Sequence, residues 1–311
     1  MRMLLATDGS EHAGRAAAFL ASLPLTQDDE ILILHDINRF PVYDEKETIF
    51  IDFKELKQDI ATRILDETVT ILKPVLAKIS TTVREGFPDQ TIVAAAAETS
   101  ADLIVMGARG IGRFRRHLIG SVTRSVAINT TKPLLVIKQH ERKEPDIFRI
   151  VFATDGSDSC LSAAQFLNSL PLPGHVEITV VHVVWSASAD IPDRFVLEID
   201  GRMKEELARI RKSEFAKAEN IVVQFERILS SRFQGVKDVI KTGNPPEELL
   251  AEAKSRGADL VVVGCRGLRG IKGMMGSVSR QIVSDAHCSV LIGNTCRTPE
   301  PRDVYIISAP L

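Results

Sequence analysis

The chain repeats one sequence pattern, and this duplication limits the folds open to it more than any other feature. Three segments of the first half return in the second half: MLLATDGS (3–10) as VFATDGS (151–157), LILHDI (32–37) as TVVHVV (179–184), and ADLIVMGARG (101–110) as ADLVVVGCRG (258–267). The period is the length of a whole domain. We therefore expect a duplicated domain, not a solenoid of short units.

The segment between the two copies has the composition of an exposed linker. QHERKEPD (139–146) is charged, contains a proline and lacks apolar periodicity. We place the first domain at residues 1–140 and the second at 147–294, followed by a C-terminal tail at 295–311. The offset between the copies grows from 147 to 157 residues, which predicts ten extra residues in the second copy, around 186–235.

Short aliphatic runs alternate with helical patterns in each copy. Five runs of the first copy predict strands: MLLAT, EILILHDI, TTVREG, DLIVMG and PLLVIK. The outer runs are rich in Ile, Val and Leu and show little alternation of apolar and polar residues, which is typical of buried parallel strands. Segments 11–22, 52–79 and 88–99 predict helices, the longest with a kink at Pro74. The predicted fold class is α/β: two tandem doubly wound domains, each a five-stranded parallel sheet of order 3-2-1-4-5 with helices on both faces.

Composition and charge exclude several classes of partner. The 39 basic residues are balanced by 41 acidic ones, a net charge of −2, so the positive excess of nucleic-acid-binding proteins is absent. No apolar run approaches the roughly 20 residues of a membrane span. The N-terminal sequence MRMLLATDGSEH also lacks the apolar core of a signal peptide. We expect a cytoplasmic protein without a nucleic-acid or membrane partner.

The cysteines predict no metal centre. The chain has four, Cys160, Cys265, Cys288 and Cys296, which are irregularly spaced and form no C-x-x-C pair. Zinc sites and thioredoxin-like redox motifs need such pairs. We expect reduced thiols in packing or surface positions.

A glycine-rich segment after the fourth strand carries the most specific signal. In the first copy it reads G-x2-G-x9-G-S, with Gly107, Gly110, Gly120 and Ser121. Glycines at a strand end let a ligand approach the backbone, and the helix that follows offers N–H groups and a positive dipole end to a phosphate. The hydroxyls of Ser121 and Thr123 add donors. The alternative is a tight strand-to-helix turn with a serine N-cap and no ligand.

Both copies carry the glycine segment and an aspartate after the first strand. The second glycine segment contains Gly264, Gly267, Gly276, Ser277, Val278 and Ser279. Asp8 and Asp155 stand in ATDGS, where a carboxylate either accepts hydrogen bonds from ribose or adenine or forms an Asx-turn or helix cap. Both motifs are expected at the C-terminal ends of strands one and four, beside the switch point where open α/β sheets bind ligands.

Other polar residues near these motifs have a structural and a functional interpretation. His35 and His182 lie within aliphatic strands, where a lone histidine is more often a satisfied core or crevice residue than a catalyst. No third group completes a triad beside either. The basic run of the first glycine loop is either a solvated face or a phosphate clamp; it contains Arg113, Arg115, Arg116 and His117.

The ATDGS and G-x2-G-x9-GSV motifs resemble the universal stress protein family in its tandem two-domain form, over nearly the whole chain. The resemblance implies that ATP is held by Thr7, Asp8, Gly107, Arg109, Gly110, Gly120, Ser121, Val122 and Thr123 in the first copy, and by Thr154, Asp155, Val183, Gly264, Arg266, Gly267, Gly276, Ser277, Val278 and Ser279 in the second. The second strand commonly ends in His-Val in this family. The first copy has His35-Asp36 there, and the second glycine loop holds eight residues rather than nine.

The resemblance implies a cytoplasmic stress-response regulator that binds ATP or a related adenine nucleotide, with magnesium, in one or both copies. A nucleotide-independent interaction module and a slow ATPase or autophosphorylating protein, with Ser121 or Ser277 as acceptor, remain as alternatives. Neither a Walker A motif nor a G-x-G-x-x-G fingerprint is present, and we assign no catalytic residue. The resemblance also implies an internal pseudo-dimer through PLLVIK and SVLIGN, and leaves a further homodimer open.

Overall fold

A computed structural model of the chain shows two similar α/β units joined edge to edge. It describes residues 1–38, 47–110, 119–139, 146–185, 201–268 and 275–293, with the backbone alone at 47–54 and 201.

The first repeat alternates strands with helices in the predicted order. Its strands are β1 (Arg2–Ala6), β2 (Glu30–Asn38), β3 (Lys78–Gly86), β4 (Leu103–Gly107) and β5 (Leu134–Ile137). Its helices are α1 (Glu11–Ala21), α2 (Glu47–Leu72), α3 (Pro88–Glu98) and α4 (Ser121–Asn129). Every residue of β4 and β5 is buried, as expected of strands covered on both faces.

The second repeat has the same plan. Its strands are β6 (Ile147–Ala153), β7 (His175–Val184), β8 (Lys237–Thr242), β9 (Leu260–Gly264) and β10 (Ser289–Gly293). Its helices are α5 (Asp158–Ser169), α6 (Gly201–Ser230), α7 (Pro245–Arg256) and α8 (Ser277–Asp285). The predicted insertion overlaps α6, while residues 186–200 and the tail at 295–311 lie outside the described residues.

The two repeats form one ten-stranded sheet of order β3-β2-β1-β4-β5-β10-β9-β6-β7-β8. Each repeat therefore has the predicted order 3-2-1-4-5, and all its pairs are parallel. The repeats meet through β5 and β10, the two strands that the family resemblance implied. These strands pair antiparallel, with Leu135 opposite Leu291 and Val136 opposite Val290.

Helices cover the sheet on both faces and bury a core on each. One core lies under α1, α2, α5 and α6 and includes Leu20, Leu72, Leu167 and Phe225. The other lies under α3, α4, α7 and α8 and includes Ile92, Val126, Leu249 and Ile282. Each core contains residues of both repeats, so the apolar interior continues across the β5–β10 contact.

Two local predictions are wrong. The helix predicted over 52–79 ends at Leu72, and Ile79 lies in β3. Pro74 follows the helix and does not kink it, because proline lacks the N–H needed to continue a helix and disfavours helical backbone at the residue before it. The expected reduced state holds for Cys160 and Cys288, which are free and buried, but Cys265 forms a disulfide bond.

Candidate functional site

The two motifs meet where β1 and β4 end. These strands are neighbours in the sheet, with Ala6 opposite Met106. Helix α1 begins just after the aspartate of the first motif, and α4 begins just after the glycine loop. The backbone therefore places the ATDGS turn beside the glycine loop, at the switch point of the first repeat.

A cavity of about 760 Å³ opens at this point. Part of its wall is apolar and is formed by Ala6, Leu34, Ile92, Met106 and Ile119. All nine residues predicted for the first site also line it: Thr7, Asp8, Gly107, Arg109, Gly110, Gly120, Ser121, Val122 and Thr123. The structure thus brings the predicted first-repeat set together around one space of a size that small-molecule sites commonly have.

The N-terminus of α4 forms one wall of this cavity and has free donors. Gly120 is its N-cap residue and makes no side-chain cap bond. The first N–H bonded within the turn is that of Arg124, which donates to the carbonyl oxygen of Gly120 at 2.9 Å. The N–H groups of Ser121, Val122 and Thr123 have no acceptor among the described residues. Three unpaired donors and the positive helix end make this wall suited to an anion.

One predicted donor has a different role. The hydroxyl of Thr123 is buried and donates to the carbonyl oxygen of Gly107 at 3.0 Å, and Ser279 donates to Gly264 at 2.6 Å in the second repeat. These bonds attach each helix start to the end of the preceding strand. The side chain of Ser121 is exposed, so its hydroxyl stays open to a ligand.

The aspartates of ATDGS form the Asx-turn that was their alternative interpretation. Oδ1 of Asp8 accepts a hydrogen bond from the N–H of Ser10 at 3.0 Å, and Asp155 accepts from Ser157 at the same distance. In the second repeat Oδ2 of Asp155 also accepts from the N–H of Leu268 at 2.8 Å. Both aspartates thus shape the turn beside the site. Contact with a ligand stays a prediction.

Sequence reasoning missed the serine that follows. The hydroxyl of Ser10 caps α1 by accepting from the N–H of Ala13 at 3.3 Å and lies 3.3 Å from the carbonyl oxygen of Arg109, to which it donates. Ser157 makes the equivalent contact with Arg266 at 3.1 Å. The serine therefore links the first motif to the glycine loop. Its repetition in both copies of ATDGS was the signal for this role.

The glycines of the first loop are required for different reasons. A Cβ at Gly107 would lie 2.6 Å from the backbone of His12, so this glycine permits close packing of α1. A Cβ at Gly110 would clash with Oδ2 of Asp8. A Cβ at Gly120 would meet no atom closer than 3.4 Å, and its φ of −64° suits any residue. Gly120 alone of these three leaves space that a ligand can use.

The two strand histidines have the structural role expected of them. The Nδ1 atom of His35 lies 2.9 Å from the carbonyl oxygen of Thr7, and that of His182 lies 2.8 Å from the carbonyl oxygen of Thr154. Each ring joins the second strand to the end of the first. Both therefore act as satisfied hydrogen-bonding residues.

Asp36 adds a buried carboxyl group to the first repeat. Burial raises the pKa of Asp36, and the nearby hydroxyl of Thr91 lowers it only in part. No hydrogen bond of normal geometry reaches either carboxyl oxygen from the described residues. The residue lines the cavity, although its oxygens are turned away from solvent. At the equivalent position the second repeat has Val183, which packs against the core.

The second repeat holds its glycine loop by an additional contact. The hydroxyl of Ser159 accepts hydrogen bonds from the N–H groups of Cys265 at 2.7 Å and Arg266 at 3.2 Å. Helix α8 begins after Gly276, whose N–H donates to Cys265 at 2.9 Å, so its start matches that of α4. The basic run at 113–117 and loop residues 269–274 lie outside the described residues.

The described parts of the chain give no sign of a metal centre or a membrane segment. No three His, Cys, Asp or Glu side chains within them are placed to hold a metal ion. No helix within them is long and apolar enough to cross a membrane.

The fold defines a duplicated, doubly wound α/β protein in which a helix begins directly after a glycine loop in each half. The family model described as "Universal stress protein family" matches residues 1–138 and again 147–293. The chain belongs to the universal stress protein family, in tandem form.

Similar proteins support this assignment. A Bacillus subtilis universal stress protein is 32% identical over 154 residues, which cover 46% of this chain and 97% of that protein. One from Mycobacterium tuberculosis is 27% identical over 301 residues, covering 93% and 96%. The solved universal stress protein of Archaeoglobus fulgidus shares the fold, with a TM-score of 0.63, 21% identity, and coverage of 94% of this chain and 98% of its own.

Proposed function

We propose that the protein is a stress-response regulator that binds ATP or a related adenine nucleotide in one or both repeats. The observation that carries this proposal is the start of α4, which lines a cavity with a partly apolar wall and has three N–H groups without an acceptor among the described residues. An adenine nucleotide combines the two groups that such a site accepts, a polyphosphate and a flat aromatic base whose ring faces pack against apolar side chains.

The phosphates would lie against the N–H groups of Ser121, Val122 and Thr123, with Arg109 at the same end of the cavity. Backbone donors at a helix start bind an anion without rearrangement, because they are already oriented. Magnesium would enter as the counterion of ATP. In this proposal the second repeat offers the same helix start, at Ser277, Val278 and Ser279.

The base would lie against the apolar wall near Leu34 and Ile92. We place the protein in the cytoplasm, in a regulatory role. Nucleotide occupancy would stabilise one arrangement of the two domains and change the surface that is shown to a partner. Among the residues that the structure describes, we identify no general base for hydrolysis, because the Nδ1 atoms of His35 and His182 are bonded to backbone carbonyl oxygens.

Calorimetric titration of nucleotide-stripped protein with ATP and magnesium tests this function. We expect micromolar binding with a stoichiometry of one or two. Gly120→Val should abolish binding in the first repeat, because the added side chain fills space beside α4. The same change at Gly276, where a Cβ would lie 3.5 Å or more from its neighbours, is the matched variant for the second repeat.

Both glycines have ordinary backbone angles, so neither variant should unfold the protein. Thermal unfolding of each variant controls for this. Absence of binding in the unmodified protein, together with absence of co-purified nucleotide in mass spectrometry, would refute the proposal and favour a nucleotide-independent interaction module.

A further inference from the structure

The two repeats differ in chemistry at the end of their second strand, near which the adenine base would lie in the proposed sites. The first repeat places Asp36 and Asn38 at the end of β2. In the second repeat the equivalent residues are Val183, near the end of β7, and Trp185, which directly follows that strand. The exchange replaces a carboxyl and an amide by an aliphatic and an aromatic side chain. Trp185 is the only tryptophan in the chain.

Strand geometry directs Trp185 toward the site. Val181 belongs to the core under α7 and α8, and Val183 packs against that core. Because side chains alternate along a strand, the side chain two residues further on lies on the same side of the sheet. Trp185 follows the last residue of β7, so this alternation predicts that its indole continues the row at the strand end, where the ligand crevice of an α/β sheet lies.

The indole is half-exposed. Trp185 is 49% exposed, compared with 41% for Phe215 in the same repeat, whereas Phe152 and Phe225 are fully buried. The exposed indole leaves aromatic surface that a ligand can contact, and aromatic rings prefer stacked or edge-to-face partners. No ring of the described residues stacks on it.

We propose that Trp185 stacks on the base of the nucleotide in the second repeat. The inference rests on the proposed function and adds to it a specific contact for one of the two sites. The phosphates would lie at the start of α8, and the aromatic base would reach from there to the indole. The first repeat has no aromatic residue at the equivalent position, so its base contact depends on the aliphatic wall alone.

The chain's single tryptophan makes this contact directly observable. The experiment uses the full-length Gly120→Val variant, in which only the second repeat is expected to bind, and follows indole emission during titration with ATP. We expect saturable quenching with the same midpoint as the calorimetric isotherm. Inorganic tripolyphosphate, which has no base, should bind without quenching.

Substitution at this position separates stacking from a general apolar contact. Trp185→Ala should weaken ATP binding by about 5- to 150-fold, which corresponds to the roughly 1–3 kcal/mol measured for base–aromatic stacking. Trp185→Phe should retain most of the affinity, and tripolyphosphate affinity should not change in either. Asn38→Ala, at the matched position of the first repeat, should leave the second site unaffected.

Two results would overturn the inference. If ATP binds to the second repeat by calorimetry but emission does not change, or if Trp185→Ala binds ATP like the parent protein, the base does not lie on the indole, while the proposed function stands. If no heat is detected with the unmodified protein, both the function and this contact are wrong.

Discussion

Replacing Lys138 by methionine should stabilise the fold at neutral pH and destabilise it at alkaline pH. Lys138 follows β5 and reaches across to the second repeat, where its Nζ donates to the carbonyl oxygens of Ser284 at 3.2 Å and Ala286 at 2.6 Å. It thereby caps the C-terminal end of α8. Burial lowers the pKa of Lys138 from 10.5 to about 8, with Arg109 lowering it further and Cys288 and Asp285 opposing the shift.

The sign of the pH dependence follows from this shift. Between about pH 8 and 10.5 the unfolded chain holds the proton and the folded chain does not, so stability rises with pH over this window. The buried charge costs about 3 kcal/mol at pH 7 and less than about 1 kcal/mol at pH 10. Losing the two hydrogen bonds costs about 2 kcal/mol at either pH.

Lys138→Met should therefore be more stable than the unmodified protein by about 1 kcal/mol at pH 7 and less stable by a similar amount at pH 10. Urea unfolding of both proteins at the two pH values measures this, and the exposed Lys78→Met is the control. Equal differences in stability at pH 7 and pH 10 would show that the charge of Lys138 carries no desolvation penalty, contrary to this prediction.

Three further predictions concern the first site. Gly107→Ala should lower the melting temperature sharply, because its Cβ would strike the backbone of His12, whereas Gly120→Ala should leave the melting temperature unchanged. Equal losses in the two variants would show that the two glycines do not have the different roles inferred for them. Asp36→Val should stabilise the fold at pH 7 by about 1 kcal/mol. The unmodified protein should lose stability as the pH rises from the ordinary pKa of a carboxyl group to the raised pKa of Asp36, and the variant should lack this loss in denaturant titrations from acid to neutral pH. Ser10→Ala should cost about 1 kcal/mol in urea unfolding through the lost cap of α1, and an unchanged midpoint would refute this.

The sheet order could be predicted because it follows from a few strong constraints. When aliphatic strands alternate with helices, the connections between strands are mainly right-handed and the strands pair in parallel. The duplication supplies the same evidence twice. The family resemblance implied the contact between the repeats, and in the structure β5, the last strand of the first repeat, pairs with β10, the last strand of the second. The helix end at Leu72 was missed because Val75 continues the apolar spacing while packing on the core from outside the helix.

The sequence predicted which residues line the first-repeat cavity, but it did not predict the role of each one. The nine first-repeat residues converge on one cavity because glycine loops and ATDGS turns have fixed positions at strand ends. The sequence could not show that the Thr123 hydroxyl faces Gly107, or that Gly107 is needed for helix packing. Both depend on how closely α1 and α4 approach the sheet, which is a property of the assembled fold.

The most direct test of nucleotide binding at the helix starts is amide chemical-shift mapping of the isotope-labelled, nucleotide-stripped protein. With ATP and magnesium, we expect the largest shifts at the amides of Ser121, Val122 and Thr123, of their second-repeat counterparts, or of both sets. Tripolyphosphate should shift the same amides without affecting the aliphatic wall. Shifts confined to other surfaces, or no shifts at millimolar ATP, would contradict the account.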